Sequence, residues 1–371
     1  MSNLKYLSHL TAPLSGFKSL NLRGETRHEA NILESLVVCG KTVHSTTDVW
    51  RSTSPRPDNL HDFKEEWLDE SVLMSYGVPG NIITGYIPER AFDSKYKIVQ
   101  YQDGPAKGSQ ADSTFLKYHK NNPGSIVATC SFKAWVYLQR LEETLGKENV
   151  EWVYGPTVPQ VFENHDSFNQ TNLLWAYRNF CSYADNDHKG MQTLFNKIRD
   201  YLNSNTNLTL TILAQPNNES SKEALSGDCH SWFFTLPFSG ALLPFKDRIK
   251  VKTNLHWYEM LELFSKTKLV VSPAEPLGGN PFEAGSYGIP MILEQQTNPF
   301  VDSNSNSLFP EVLTAPRGIN NQFLEKLDNL FFDSVFYNKH GSAYRNFIKQ
   351  HATYEAYVNK IEEIGKKRGW Q

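Results

Sequence analysis

The 371-residue sequence is short of cysteine, of charge excess and of long apolar runs, and each shortage removes a class of protein. Its four cysteines, Cys39, Cys130, Cys181 and Cys229, fall into no CxxC or Cys/His spacing. Neither a disulfide framework nor a zinc site is indicated, and free thiols are expected. With 37 Lys and Arg against 40 Asp and Glu, the formal charge of −3 gives no whole-surface grip on nucleic acid. A phosphate-bearing small ligand needs only a few local cations. No window approaches the roughly 18 apolar residues of a spanning helix, and the opening MSNLKYLSHLTAPLSG is too short in apolar residues for a signal segment. A cytoplasmic protein follows as the expectation, with peripheral membrane contact left open. The N-x-S/T sequons at Asn169, Asn207 and Asn218 then read as coincidences of composition.

What is present is enough apolar surface for two domains. Hydrophobic residues make up 39% of the chain, including 22 Phe, 17 Tyr and 8 Trp, and a chain this long exceeds a single ordinary core. Short apolar runs (LKYLSHL, KTVHST, SVLMSYG, KIVQYQ, SIVATC) alternate with helical periods such as HEANILESLVV and FKAWVYLQRLEETL. Such alternation marks βαβ units and a parallel sheet. NVEWVYG reads as one more strand, and the polar GPTVPQVFENHDSFNQTN after it as a linker, placing a domain boundary near residue 165. A second series begins at NLLWAYRNF, with a helix striped by Met191, Leu194, Phe195, Ile198 and Leu202. It continues through LTLTILAQ, an irregular stretch 229–247, RIKVK, WYEMLELFS and KLVVSPA. The expected architecture is α/β, with two doubly wound Rossmann-like domains over 1–165 and 166–345 facing a cleft, and a helical 346–371 returning to the first.

The chemistry concentrates after KLVVSPA. The loop runs Glu275, Pro276, Leu277, Gly278, Gly279, Asn280, Pro281, Phe282, Glu283, then a helical EAGSYG, and GIPMIL as a returning strand. Glycines let backbone amides approach a ligand, and a helix start offers amides to anions or hydroxyls. Carboxylates accept from sugar hydroxyls. The combination suits a ligand that is phosphate at one end and polyol at the other. This run resembles the E-x7-E element of the family-4-like (group 1) retaining glycosyltransferases of the GT-B fold, whose usual form is EGFGxxxxEAxxxGxP. The resemblance implies that Glu275 binds donor-sugar hydroxyls, that Gly278, Gly279 and Asn280 hold sugar and phosphate, and that Glu283 binds the ribose. Pro276 stands where the family has glycine, removing one amide, and Leu277 where it has an aromatic.

A second element of that family, Gly-Arg at a strand end followed by Lys-Gly at a helix start, has its counterpart in Arg178 and in Lys189-Gly190, across an insertion rich in Asp and Asn. The resemblance makes Arg178 and Lys189 the cations that neutralise the diphosphate and ease its departure. Within the insertion Asp185-Asn186-Asp187 spells D-x-D, but a polar turn is the reading taken, and no metal is expected. In the first half Gly24, with Gly16 as competitor, is the match to the family's glycine-bearing loop, and Asp103 is a candidate at a strand end that could equally cap a turn. His28, His44 and His230 lack partners that would mark them as catalytic.

The resemblance implies transfer of a sugar from a UDP-, GDP- or ADP-sugar to an acceptor hydroxyl with retention, with the nucleotide sugar as co-substrate and no other cofactor. Another GT-B enzyme, such as a sugar-nucleotide epimerase, and a catalytically idle partner or carbohydrate-binding subunit are the alternatives. The sequence does not identify the acceptor.

Overall fold

A computed structural model describes residues 5–10, 24–45, 56–77, 94, 96–101, 116–117, 120–121, 125–129, 141–176, 188–213, 229–236, 238–252, 255, 257–274, 279–301 and 306–370. The strands are β1 (Lys5–Leu10), β2 (Val43–Ser45), β3 (Leu60–Asp62), β4 (Ser71–Gly77), β5 (Tyr96–Tyr101), β6 (Ser125–Thr129), β7 (Asn172–Trp175), β8 (Thr209–Leu213), β9 (Ile249–Lys252), β10 (Thr267–Val270), β11 (Ile292–Glu294) and β12 (Leu313–Ala315). The helices used below are α1 (Gly24–Val38), α2 (His188–Ser204), α3 (Cys229–Phe233), α4 (Trp257–Ser265), α5 (Asn280–Ser286), α6 (Asn321–Phe332), α7 (Ser334–His351) and α8 (Tyr354–Lys367). The chain divides into two compact units, one of Met1–Val161, Val301–Asn306 and Phe347–Gln371, the other of Phe162–Phe300 and Ser307–Asn346.

In the first unit six strands form one sheet in the order β3-β2-β1-β4-β5-β6, every neighbouring pair parallel. Parallel neighbours need crossover connections, so both faces must be covered and central strands read as continuous apolar runs. Val72, Leu73 and Met74 of β4 are accordingly buried. From α1, Ile32, Leu33, Leu36 and Val37 enter the core, and α8 adds Tyr357, Val358, Ile361 and Ile364. Polar anchors fix α8: the Tyr357 hydroxyl donates to Gln100 Oε1 at 2.8 Å, and that of Tyr354 to Glu34 Oε2 at 2.8 Å.

The second unit has a four-stranded parallel sheet, β10-β7-β8-β9, and a separate parallel pair, β11-β12. The stripe Met191, Leu194, Phe195, Ile198 and Leu202 is fully buried along α2, as its spacing requires.

Several expectations need correction. NVEWVYG is not a strand: Lys147–Asn149 is a 3-10 turn, and Glu151–Gly155 carries no strand ladder. Val150, Val153 and Gly155 are the buried positions, which is not a regular alternation. The segment is tied instead to helical neighbours, with Trp152 Nε1 donating to Glu142 at 3.2 Å and Lys367 pairing with Glu151 at 2.7 Å. GIPMIL does return as a strand, β11, but it pairs with β12 rather than joining the larger sheet. The stretch 229–247 holds α3 and a 3-10 run, Ser239–Arg248. The terminal helical stretch is two helices, because Thr353 breaks from helical geometry and caps α8, its Oγ1 accepting from the Ala356 amide at 3.2 Å.

One buried polar group sets an acid-side limit. His44 is fully buried, its ring edge-to-face with Trp67 at 4.7 Å between ring centres and its Nε2 2.9 Å from Ser71 Oγ. The Ser71 hydroxyl donates to Trp67 O at 2.6 Å, so the ring nitrogen donates to the hydroxyl. Burial, with Lys5 and His61 nearby, pushes its pKa down to about 4. Between the ordinary value of 6.5 and that depressed value the unfolded chain binds a proton that the native one refuses. Stability therefore falls as pH drops through this window, by up to roughly 3 kcal/mol. His44→Gln, which keeps a donor toward Ser71, should flatten the slope. Urea unfolding from pH 7 to pH 4 in parent and variant checks this, and identical slopes would refute it.

Candidate functional site at the strand-order reversal

The larger sheet of the second unit places the site. The chain steps from β7 to β8 to β9 in one direction, then returns with β10 on the other side of β7. The strand order therefore reverses between β7 and β10, the position where open α/β sheets bind ligands beyond the carboxyl ends of their strands. Both motifs read from the sequence follow these strands, Arg178 and Lys189 after β7 and Glu275 through Glu283 after β10. The first unit has the same reversal between β1 and β4, and Gly24 is the first residue of the helix after β1. Arg178, Glu275, Gly278, Asp103 and Asp185 to Asp187 lie outside the described residues. Lys189 is the second residue of α2, while Gly279, Asn280 and Glu283 form the start of α5.

The strand exits are stitched together. The Val271 amide donates to Leu174 O at 2.8 Å, and the Ala176 amide to Ser272 Oγ at 2.7 Å. Asn280 Nδ2 donates to Ala176 O at 3.1 Å. The Asn280 amide nitrogen thus holds the base of the β10 loop against the exit of β7. Ser272 had no sequence signal, since a serine after an apolar strand is ordinary.

Glu283 lies in the first turn of α5 and is 0% exposed. A carboxylate there is favoured by the helix dipole. Not all of the amides at this helix start are open, however. The amides of Phe282 and Glu283 both donate to Gly279 O, at 3.1 and 3.2 Å, and Pro281 has none to give.

The far end of α5 is held as firmly. The Phe162 amide donates to Ser286 O at 2.8 Å, and Ser167 Oγ to Gly288 O at 3.1 Å. The Phe162 and Tyr287 rings stack 4.2 Å apart at 6°. From α7, Arg345 donates to Tyr287 O at 2.8 Å and to Glu163 O and His165 O at 3.0 Å each. Gly288 has φ of 74°, and a side chain there would collide with the Arg345 guanidinium. Sequence reading treated 155–172 as linker and Arg345 as part of an amphipathic helix. Its partners are carbonyls, which every residue carries.

Lys268, on β10, is buried and its pKa is pushed down to about 8 by that burial. It lies toward the amino end of the strand, with Nζ donating to Phe168 O at 2.7 Å and resting 3.4 Å from that ring's centre. The ammonium is a core cation, at the end of β10 opposite the loop.

No family model and no curated protein matches the chain. Among solved structures it is similar to a UDP-N-acetylglucosamine 2-epimerase, with 15% identity, TM-score 0.58, and 100% of this chain and 98% of that one covered. It is similar to a glycosyltransferase from Rickettsia africae ESF-5, with 12% identity, TM-score 0.55 and 99% of each chain covered. It is also similar to Anabaena Alr3699/HepE in complex with UDP and glucose, with 12% identity, TM-score 0.54, and coverage of 98% and 99%. The fold is GT-B, built from two Rossmann-like domains.

The packing of α7 on the turn after α5 can be tested. Gly341 lies inside α7, where alanine ordinarily stabilises a helix by about 1 kcal/mol. Here a methyl group would run into the Gly288 carbonyl. Gly341→Ala should therefore destabilise, by roughly 1–3 kcal/mol. A thermal or urea melt reads the sign, and a variant more stable than the parent would contradict the contact.

Proposed function

We propose that this chain acts on a nucleotide sugar bound at the reversal between β7 and β10, and that it is a retaining glycosyltransferase. The observation that carries the reading is that, along the chain, the two sequence elements suited to diphosphate and sugar come directly after the two strands flanking that reversal. Arg178 and Lys189 hold the diphosphate, Glu275 accepts from the donor-sugar hydroxyls, Gly278 and Gly279 let the backbone approach, and Glu283 accepts from the ribose. In the transfer the bond from the anomeric carbon to the diphosphate oxygen breaks, a bond to the acceptor oxygen forms on the same face, and the acceptor hydroxyl's proton passes to the departing diphosphate. Negative charge grows on the diphosphate, where Arg178 and Lys189 stabilise it. Gly24 is the candidate for the loop where donor phosphate and acceptor meet, Asp103 is a candidate catalytic residue, and no metal takes part.

A second reading has a specific observation behind it, since a UDP-N-acetylglucosamine 2-epimerase matches over the whole chain. Epimerisation uses the same donor site but leaves the nucleotide attached. Support for nucleotide-sugar chemistry as such is common to both, as the neighbours named above include an epimerase, a glycosyltransferase and a protein holding UDP and glucose.

Thermal shift with UDP-, GDP- and ADP-sugars should show one nucleotide that stabilises the protein, by about 2.7 kcal/mol at a hundredfold excess over Kd. Glu283→Gln should lose most of that response while folding normally. Product analysis then separates the readings: a freed nucleoside diphosphate with a glycosylated acceptor supports transfer, and an isomeric nucleotide sugar supports epimerisation. A protein that responds to none of the three nucleotides has no donor site of this kind.

A further inference from the structure

We propose that Arg345 is a positioning residue for the donor site, setting the placement of Glu283 through the carboxyl end of α5. The inference rests on the reading of Glu283 as a donor-binding residue.

With seven residues, α5 has too few internal hydrogen bonds to hold its own shape, because a helix that short is unstable in isolation. Its placement is imposed at its ends. At the start, Asn280 is fastened to Ala176. At the finish, Arg345 gathers three carbonyls: that of Tyr287, the C-cap of α5, and those of Glu163 and His165 in the segment beside it. Glu283 is one turn from Tyr287, so a displacement of the cap is passed directly to the glutamate.

The surroundings are shaped for this guanidinium. Gly288 leaves the space that a side chain would take from it, and Gly341 brings α7 against the same turn. Its Nη1 and Nη2 end on backbone oxygens, whose acceptor directions differ, and a planar fork can satisfy several at once. A lysine keeps the charge but offers one ammonium, which cannot span the three carbonyls.

The test is a double-mutant cycle on purified protein, below its melting transition, with UDP, GDP and ADP as probes by calorimetry. Arg345→Lys should weaken the nucleotide that binds the parent by roughly tenfold, as expected for a displaced binding group. Glu283→Gln should also weaken it, and the double variant should be no weaker than Glu283→Gln alone, because Arg345 acts through that residue. Hydrogen exchange at the amides of 283–288 should quicken in Arg345→Lys. A folded Arg345→Lys with parental affinity, or a double variant whose losses multiply, overturns the positioning role. Parental affinity in Glu283→Gln, or binding of none of the three nucleotides by the parent, overturns the donor-site reading and the inference with it. Arg345→Gln, which also keeps a planar donor group, replaces Arg345→Lys in the same cycle if the lysine variant does not fold.

Discussion

Every ladder among the described residues is parallel, and parallel strands cannot be joined by tight hairpins. Each step from strand to strand must leave the sheet, cross a face and return. That requirement buries both faces, makes the central strands predominantly apolar, and gives each crossover its hand. It also forces a choice of where the winding reverses, and the reversal leaves the carboxyl ends of two adjacent strands without a crossing helix between them. In the second unit those strands are β7 and β10. The candidate site follows from the winding.

Around that opening the protein spends its polar groups on fixing backbone. Ser272 and Asn280 satisfy the amide and carbonyl of Ala176, and Arg345, Phe162 and Ser167 bind carbonyls at and beyond the end of α5. A short helix held at both ends delivers Glu283 without relying on its own stability. The tight opening turn, which uses the Phe282 and Glu283 amides internally, takes those donors out of the account for an anionic ligand.

Much of the fold was legible along the chain. SVLMSYG corresponds to β4 residue for residue, WYEMLELFS to α4, and the five-residue stripe of α2 is wholly buried. These elements are set by periodicities that local sequence carries. NVEWVYG misled because β-branched and aromatic residues satisfy a strand's composition equally well when they pack against a helix. The segment lies beside α8, whose identity as a neighbour has no local signature. The strand within GIPMIL was foreseen while its partner β12, only three residues long, was not.

The sequence by itself determined most of the longer elements and their order, and the presence of two adjacent glycines with a glutamate on either side after an apolar strand. It did so because hydrophobic period and turn chemistry depend on near neighbours in the chain. The tertiary structure alone decided that this apolar strand lies beside the one preceding Arg178 and Lys189, that Asn280 is engaged with Ala176, and that Arg345 holds the end of α5. Strand order is a choice among windings of similar local energy, and backbone carbonyls accept hydrogen bonds whatever residue carries them. Neither leaves a mark in residue identity.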